Sequence, residues 1–267
     1  MSSEPLVPRP DPAPWLPLLR RLTQLSTTWC AWKNVDRALA GYGDIDSVSL
    51  LEDCDRLLNE FRAWASTHGM APIFICSHLP GSVLGVAVRH REELIELQLC
   101  QQAFFRGSVL FGTRDLVPLM EMDERGFRRL RPGAEGLLLL FFNSLKRGGR
   151  PHFGNEKARH PLDLLRRDPE GAEMATRLFG PVQRQAFRVA NAALEGRWDY
   201  GSAIRIELWA AGRSFLDPRM LTARVKLRAA RLKLCPLLPA LNQGRRLTGD
   251  VDEWLAETAR SHQSHAS

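Results

Sequence analysis

Apolar positions recur along the chain with two periods, and the change between them falls near residue 131. Trp15 to Gln24 is an apolar-basic helix candidate, and Pro14 suits its first turn. Thr27 to Trp32 is rich in strand formers. Val35 to Ala40 reads as a short helical turn closed by the glycines of AGYG. Ile45 to Leu51 alternates in the strand manner. Glu52 to His68 follows as an amphipathic helix, with Cys54, Leu57, Leu58, Phe61 and Trp64 at helical spacing and Gly69 closing it. Strands are expected over 72–77, 82–89 and 93–100, the first two flanking the turn signal LPGS. The order through Cys100 is β-α-β-α-β-β-β, a mixed unit.

Beyond Arg131 the rhythm is helical. Pro132 and Gly133 open a helix over 134–147 that is apolar nearly all round, hence expected to be buried. GGRPHFG is a loop, and helices are expected over 161–167, 170–179, 182–195, 198–211, 218–235 and 250–261. The fold class is therefore α+β. A mixed sheet with flanking helices occupies 14–130 and a helical domain 131–261, between disordered tails at 1–13 and 262–267.

Composition narrows this picture. At 267 residues, 44% hydrophobic and 25% charged, the chain can bury a sizeable core and is not expected to be disordered throughout. No apolar run approaches the roughly 20 residues of a membrane span. The proline-rich N-terminus lacks the charged and apolar regions of a signal peptide. Five scattered cysteines form no C-x-x-C pair, which suits the reducing cytoplasm and suggests neither zinc nor a disulfide framework. The net charge of +7 is uneven: residues 1–133 carry 15 basic and 16 acidic side chains, and residues 134–267 carry 22 and 14. A basic second half suits nucleic acid, an acidic membrane surface or a phosphorylated substrate.

The stretch WKNVDRALAGYGDIDSVSLL concentrates the candidate chemistry. Asp44 and Asp46, two apart at the start of a strand, point to one face. Adjacent carboxylates repel unless a cation lies between them, and Mg²⁺ or Mn²⁺ takes such oxygen ligands together with substrate phosphates. Gly41 and Gly43 let backbone N–H groups approach a phosphate, and Lys33 lies within reach of the same anion. The plainer alternative makes Asp44 a turn residue and Asp46 a solvated strand residue. Two other D-x-D pairs, Asp53/Asp55 and Asp250/Asp252, fall at helix starts. In the basic half Arg224, Arg228 and Arg231 form a helical stripe, with Leu221, Val225 and Leu232 as its buried side. The stripe is either a solvated face or a grip for a triphosphate or an RNA backbone. His160 and Asp163, in HPLDLLRRD, read as helix initiation after Pro161.

The run KN-(x)₃-ALAGYGDID, followed by an amphipathic helix, a strand, a PG turn and a further strand, resembles the nucleotidyltransferase superfamily. More narrowly, it is similar to bacterial nucleotidyltransferase-like proteins with a GDIDLLV-type strand. The likeness covers about residues 26–100 and extends loosely to RLRPGAEGLLLLFFNSLKRGGRP. It implies Asp44 and Asp46 as catalytic metal ligands and a third carboxylate on a neighbouring strand. Glu96 in ELIELQL is the choice for that third acid, with Glu93 as fallback. It also implies phosphate contacts from Gly43 and Lys33, with Lys146 in the place of a triphosphate-binding lysine on the first helix of the helical part. The implied cofactor is Mg²⁺ or Mn²⁺. The implied reaction moves a nucleotidyl group from a nucleoside triphosphate to an acceptor hydroxyl on a small molecule, protein or RNA. Departures are the missing upstream Gly-Ser pair, replaced by Lys33-Asn34, and the polar continuation Ser47-Val48-Ser49. They leave open a catalytically inactive binding or scaffold protein of the same fold, and the basic half leaves open a nucleic-acid-binding protein.

Overall fold

The computed structural model describes residues 14–41, 43–79, 81–89, 93–144, 153, 156–217 and 225. Its elements begin with α1 (Trp15–Leu25), β1 (Cys30–Lys33), α2 (Val35–Leu39), β2 (Ile45–Val48) and α3 (Leu51–Thr67). Then come β3 (Ile73–Leu79), β4 (Ser82–Arg89) and β5 (Glu93–Cys100), in the order read from the apolar pattern. Residues 101–131, to which the pattern assigned no elements, hold four short strands: β6 (Gln102–Phe105), β7 (Ser108–Gly112), β8 (Met120–Met122) and β9 (Arg128–Leu130). A single helical turn, α4 (Thr113–Leu116), lies between β7 and β8. Among the described residues seven strands form one mixed sheet in the order β3-β4-β5-β2-β1-β9-β8, while β6 and β7 form a separate hairpin. The chain is thus α+β.

The helical part comprises α5 (Pro132–Asn143), α6 (Glu156–Arg167), α7 (Pro169–Thr176), a 3-10 stretch over Arg177–Val182, α8 (Gln183–Leu194) and α9 (Tyr200–Leu216). Every α5 residue from Pro132 to Phe142 is buried, as its apolar circumference requires. Helix α6 starts at Glu156 and carries Pro161 inside it, which corrects initiation after Pro161. Packing overrides proline's local preference here: a side chain on Gly136 of α5 would lie 2.8 Å from the Pro161 carbonyl oxygen, so α5 and α6 meet backbone to backbone. Val225 is helical but 61% exposed, which corrects its placement on a buried side. Helical spacing fixes which residues share a side, not whether that side finds a partner surface. The tails and the helices expected at 218–235 and 250–261 lie outside the described residues, apart from Val225.

The sheet separates two cores. On one face Ile45, Ala87, Ile95, Leu97 and Leu99 pack with α1 and α3, where Trp15 and Trp64 stack at 5.1 Å. Gly85 leaves room for Phe61, whose Cδ1 would lie 2.7 Å from a side chain there. On the other face Cys30, Trp32, Val48 and Cys100 join a cluster that runs through α5 into α6, α7, α8 and α9. The helical part therefore shares this core with the sheet across residue 131. Truncating a side chain such as Leu138 to alanine is worth about 2–5 kcal/mol of stability. Among the described residues no helix is long and apolar enough to cross a membrane.

Candidate active site

Strand pairing assembles the site. β2 and β5 are parallel neighbours, with Ile45 opposite Leu97 and Asp46 opposite Gln98, so Asp44 stands level with Glu96. Alternation puts Asp44, Asp46, Glu96 and Gln98 on one face, the face of Val48 and Cys100 that packs on α5 farther along. The acids thus share a sheet face with residues that pack on α5 farther along the strands. The opposite face is apolar at Ile45, Ile95 and Leu97, each fully buried, and Ser47 fits there by donating to the Gln98 carbonyl at 2.6 Å. That bond accounts for the polar residue in place of an apolar one.

Lys33 reaches this face through an irregularity. β1 runs antiparallel to β2, and its register shifts between Ala31 and Lys33, so that Cys30 faces Val48 but Lys33 faces Asp46. A bulge at Trp32 therefore turns both Trp32 and Lys33 to the same side. The Trp32 ring packs edge-on against Phe111 and Phe142, at 5.7 and 5.6 Å. The Lys33 ammonium lies 4.7 Å from the Trp32 ring centre and 3.2 Å from Asp46 Oδ1. Gly41 and Gly43 both adopt positive φ, +87° and +85°, which no other residue type takes cheaply. A side chain at Gly43 would meet open space, so the turn before Asp44 is accessible from that side.

The electrostatics follow from like charges held together. Burial first, then the carboxylates of Asp44 and Asp46, push the Glu96 carboxyl up from 4.5 to about 8, and Lys33 opposes them. Among the described residues no three His, Cys, Asp or Glu side chains are gathered closely enough to hold a metal ion as they stand. The carboxylates repel across the strands while the ammonium of Lys33 bonds Asp46.

A second charged cluster fixes the backbone beside Lys33. Asn34, in the left-handed conformation at φ 57°, donates its backbone N–H to Glu135 Oε1 of α5 at 2.7 Å. Glu135 is 2% exposed and accepts from Arg129 Nη2 at 2.8 Å. Arg129 also binds Asp36 at 2.9 Å and Asp123 at 3.3 Å, and Arg125 bonds the same two acids. Burial pushes the Asp36 carboxyl up, but bonds from Arg125 and Arg129 outweigh it and hold it below its ordinary value. The hydrogen bonds from Arg125 hold Asp123 well below the carboxylate range. His160 of α6 lies 3.9 Å from Glu135, so it belongs to this cluster's edge rather than to helix initiation.

Strand pairing sets Asp44 level with Glu96, Lys33 pairs with Asp46, and Gly43 lies in the turn that precedes them. Glu93, the fallback acid, begins β5. Lys146, Arg224, Arg228 and Arg231 lie outside the described residues, as do Asp250 and Asp252. Asp53 has a structural part, accepting from Ser26 and Thr28 and bridging α3 to the turn before β1. Cys30, Cys54 and Cys100 are buried thiols outside any disulfide, and burial pushes the Cys30 thiol up, away from nucleophilic use. The sequence reading missed Glu135, Arg129 and Asp36. Only the apolar surroundings of Glu135 in PGAEGLLLLFF marked it as an acid needing a partner. No protein-family model, curated protein or solved structure matches the chain.

Proposed function

We propose that this chain has a nucleotidyltransferase-like fold and transfers a nucleotidyl group from a nucleoside triphosphate to an acceptor hydroxyl, releasing pyrophosphate, with Mg²⁺ or Mn²⁺ as cofactor. The observation that carries the reading is the set of Asp44, Asp46 and Glu96 on one face of two parallel strands, directly after a glycine turn. The donor set is all carboxylate, which suits a hard divalent cation; burial first, then repulsion by Asp44 and Asp46, raises the Glu96 carboxyl, and such a cation relieves the repulsion. Asp44 and Asp46 would hold the ion, with Glu96 completing the set. When bound, it would neutralise charge on the phosphates undergoing substitution.

The chain's own residues supply the rest. The turn at Gly43 offers backbone N–H groups to phosphate oxygens, and the Lys33 ammonium is placed to bind the same oxygens. Glu96, level with Asp44 on the neighbouring strand, is the group assigned to receive the acceptor's hydroxyl proton at a carboxylate oxygen. The test is incubation of the chain with each α-labelled nucleoside triphosphate, Mg²⁺ or Mn²⁺ and fractionated cell components. Label should pass to an acceptor with the native chain and fall to background with Asp46→Ala. Undiminished transfer by that variant would overturn the assignment.

A second reading is a non-catalytic nucleotide-binding module of the same fold. The Lys33–Asp46 ion pair, which occupies one of the acids, favours it. It is distinguished by nucleotide binding without transfer to any acceptor.

A further inference from the structure

Lys33 stands in an unusual relation to the acids it faces. A bulge in β1 is needed to bring it to their face at all, since unbroken alternation would send Lys33 to the side opposite Trp32. Once there, its ammonium has two partners, Asp46 Oδ1 at 3.2 Å and the Trp32 ring at 4.7 Å. The aromatic packing of Trp32 on Phe111 and Phe142, and the Asn34–Glu135 bond that follows it, fix both ends of the bulge. The lysine side chain itself is a quarter exposed, on a flexible stem, so its head group can move without disturbing that frame. Such a group is a positive charge with two stations: the carboxylate beside it, or a phosphate arriving at the glycine turn.

Resting on the nucleotidyltransferase reading above, we propose that Lys33 is the resident counter-ion of the acidic face. In the absence of nucleotide its ammonium holds the position on Asp46 that a divalent cation would take. A polyphosphate entering at Gly43 draws the ammonium away, so metal and nucleotide bind as a pair rather than metal first. The coupling is reciprocal: whatever nucleotide does for metal affinity, metal does equally for nucleotide affinity. Lys33 is thereby a specificity device. It disfavours bare divalent cations and favours those accompanied by at least a diphosphate.

The test is Mn²⁺ titration of the full chain followed by water-proton relaxation enhancement, which separates protein-bound Mn²⁺ from Mn²⁺ free or chelated by nucleotide. Lys33→Met keeps the stem and removes the charge, while Lys33→Arg keeps the charge and controls for disturbed folding, which circular dichroism also checks. Without nucleotide, Lys33→Met should bind Mn²⁺ about tenfold more tightly than the native chain, within the usual range of coupling between sites. Lys33→Arg should behave as the native chain does. Adding a non-hydrolysable nucleoside triphosphate should strengthen Mn²⁺ binding to the native chain far more than to Lys33→Met. Equal Mn²⁺ affinity in the native chain and Lys33→Met would overturn the role of Lys33 while leaving the site reading intact. Absence of protein-bound Mn²⁺ in both chains, with nucleotide present, would overturn the site reading and this proposal with it.

Discussion

Two carboxylate clusters lie on either side of residues 33 and 34, and they meet the same electrostatic problem in opposite ways. Asp36, Asp123 and Glu135 are laced by Arg125 and Arg129 through six side-chain hydrogen bonds of 2.5–3.3 Å. On the acidic face the ammonium of Lys33 pairs with Asp46, beside Asp44 and Glu96. The carboxyls of Asp36 and Asp123 are held below their ordinary values, whereas that of Glu96 is pushed up to about 8. Guanidinium forks bind two acids at once and suit a permanent structural tie. The compact ammonium of a lysine on its flexible stem is a looser tie, one that an arriving ion can exchange. The first cluster joins α2, β9 and α5 and fixes the Asn34 backbone; the second shares a sheet face with residues that pack on α5, next to a glycine turn.

The largest effect should come from breaking the laced cluster. Arg129→Met strips buried Glu135 of its main partner and leaves Asp36 and Asp123 to Arg125 alone. It should cost about 3–5 kcal/mol in urea denaturation. A loss below about 1 kcal/mol would mean that the cluster is not the structural tie described.

The acidic face should respond in the opposite sense. A carboxyl whose folded pKa lies above its unfolded value binds more protons when folded. Stability is therefore undiminished below pH 4.5 and falls as pH rises through about 8. Glu96→Gln should remove most of that decline and stabilise the chain at pH 8 by on the order of 2 kcal/mol, after allowance for partial exposure. Asp36 and Asp123 have the reverse linkage. Their contribution is present above 3.8 and is lost as pH falls below it, so Asp123→Asn should flatten the acid limb and leave the alkaline one unchanged. Unfolding free energies measured from pH 3 to pH 9 for both variants would separate the two clusters. A Glu96→Gln profile parallel to the native one would erase the contrast.

The smallest effect is expected where the clusters meet. Asn34 acts through its backbone N–H and a positive φ, both of which glycine supplies. Asn34→Gly should change stability by less than about 0.5 kcal/mol. A larger loss would give the Asn34 side chain a part that the structure does not assign to it.

Much of this contrast was legible before any coordinates. Alternation in GDIDSV and ELIELQL put Asp44, Asp46 and Glu96 on solvent-side positions of two strands, and the structure makes those strands parallel neighbours. Lys33 was legible as a nearby cation, but its face was not, because a bulge depends on how two strands pair and leaves no mark in one strand's own pattern. The laced cluster was invisible for a different reason. Asp36 and Arg129 are 93 residues apart, and Asn34 and Glu135 are 101 apart. The strand that carries Arg129, β9, has three residues, two of them arginine, too few to show any period. Pro161 misled because a local helix signal gave way to the close approach of α5 and α6.

The central claim is that Asp44, Asp46 and Glu96 form a face completed by a cation and a polyphosphate. Thermal unfolding at pH 8, with and without Mn²⁺ and a mixture of the four nucleoside triphosphates, tests it most directly. A ligand that binds only the folded chain raises its melting temperature. The native chain should melt several degrees higher with both ligands present (roughly the shift that 1–2 kcal/mol gives a chain of this size), and the Asp44→Asn/Asp46→Asn chain should not. A native melting temperature that stays fixed, or one that rises equally in the double variant, would contradict the claim.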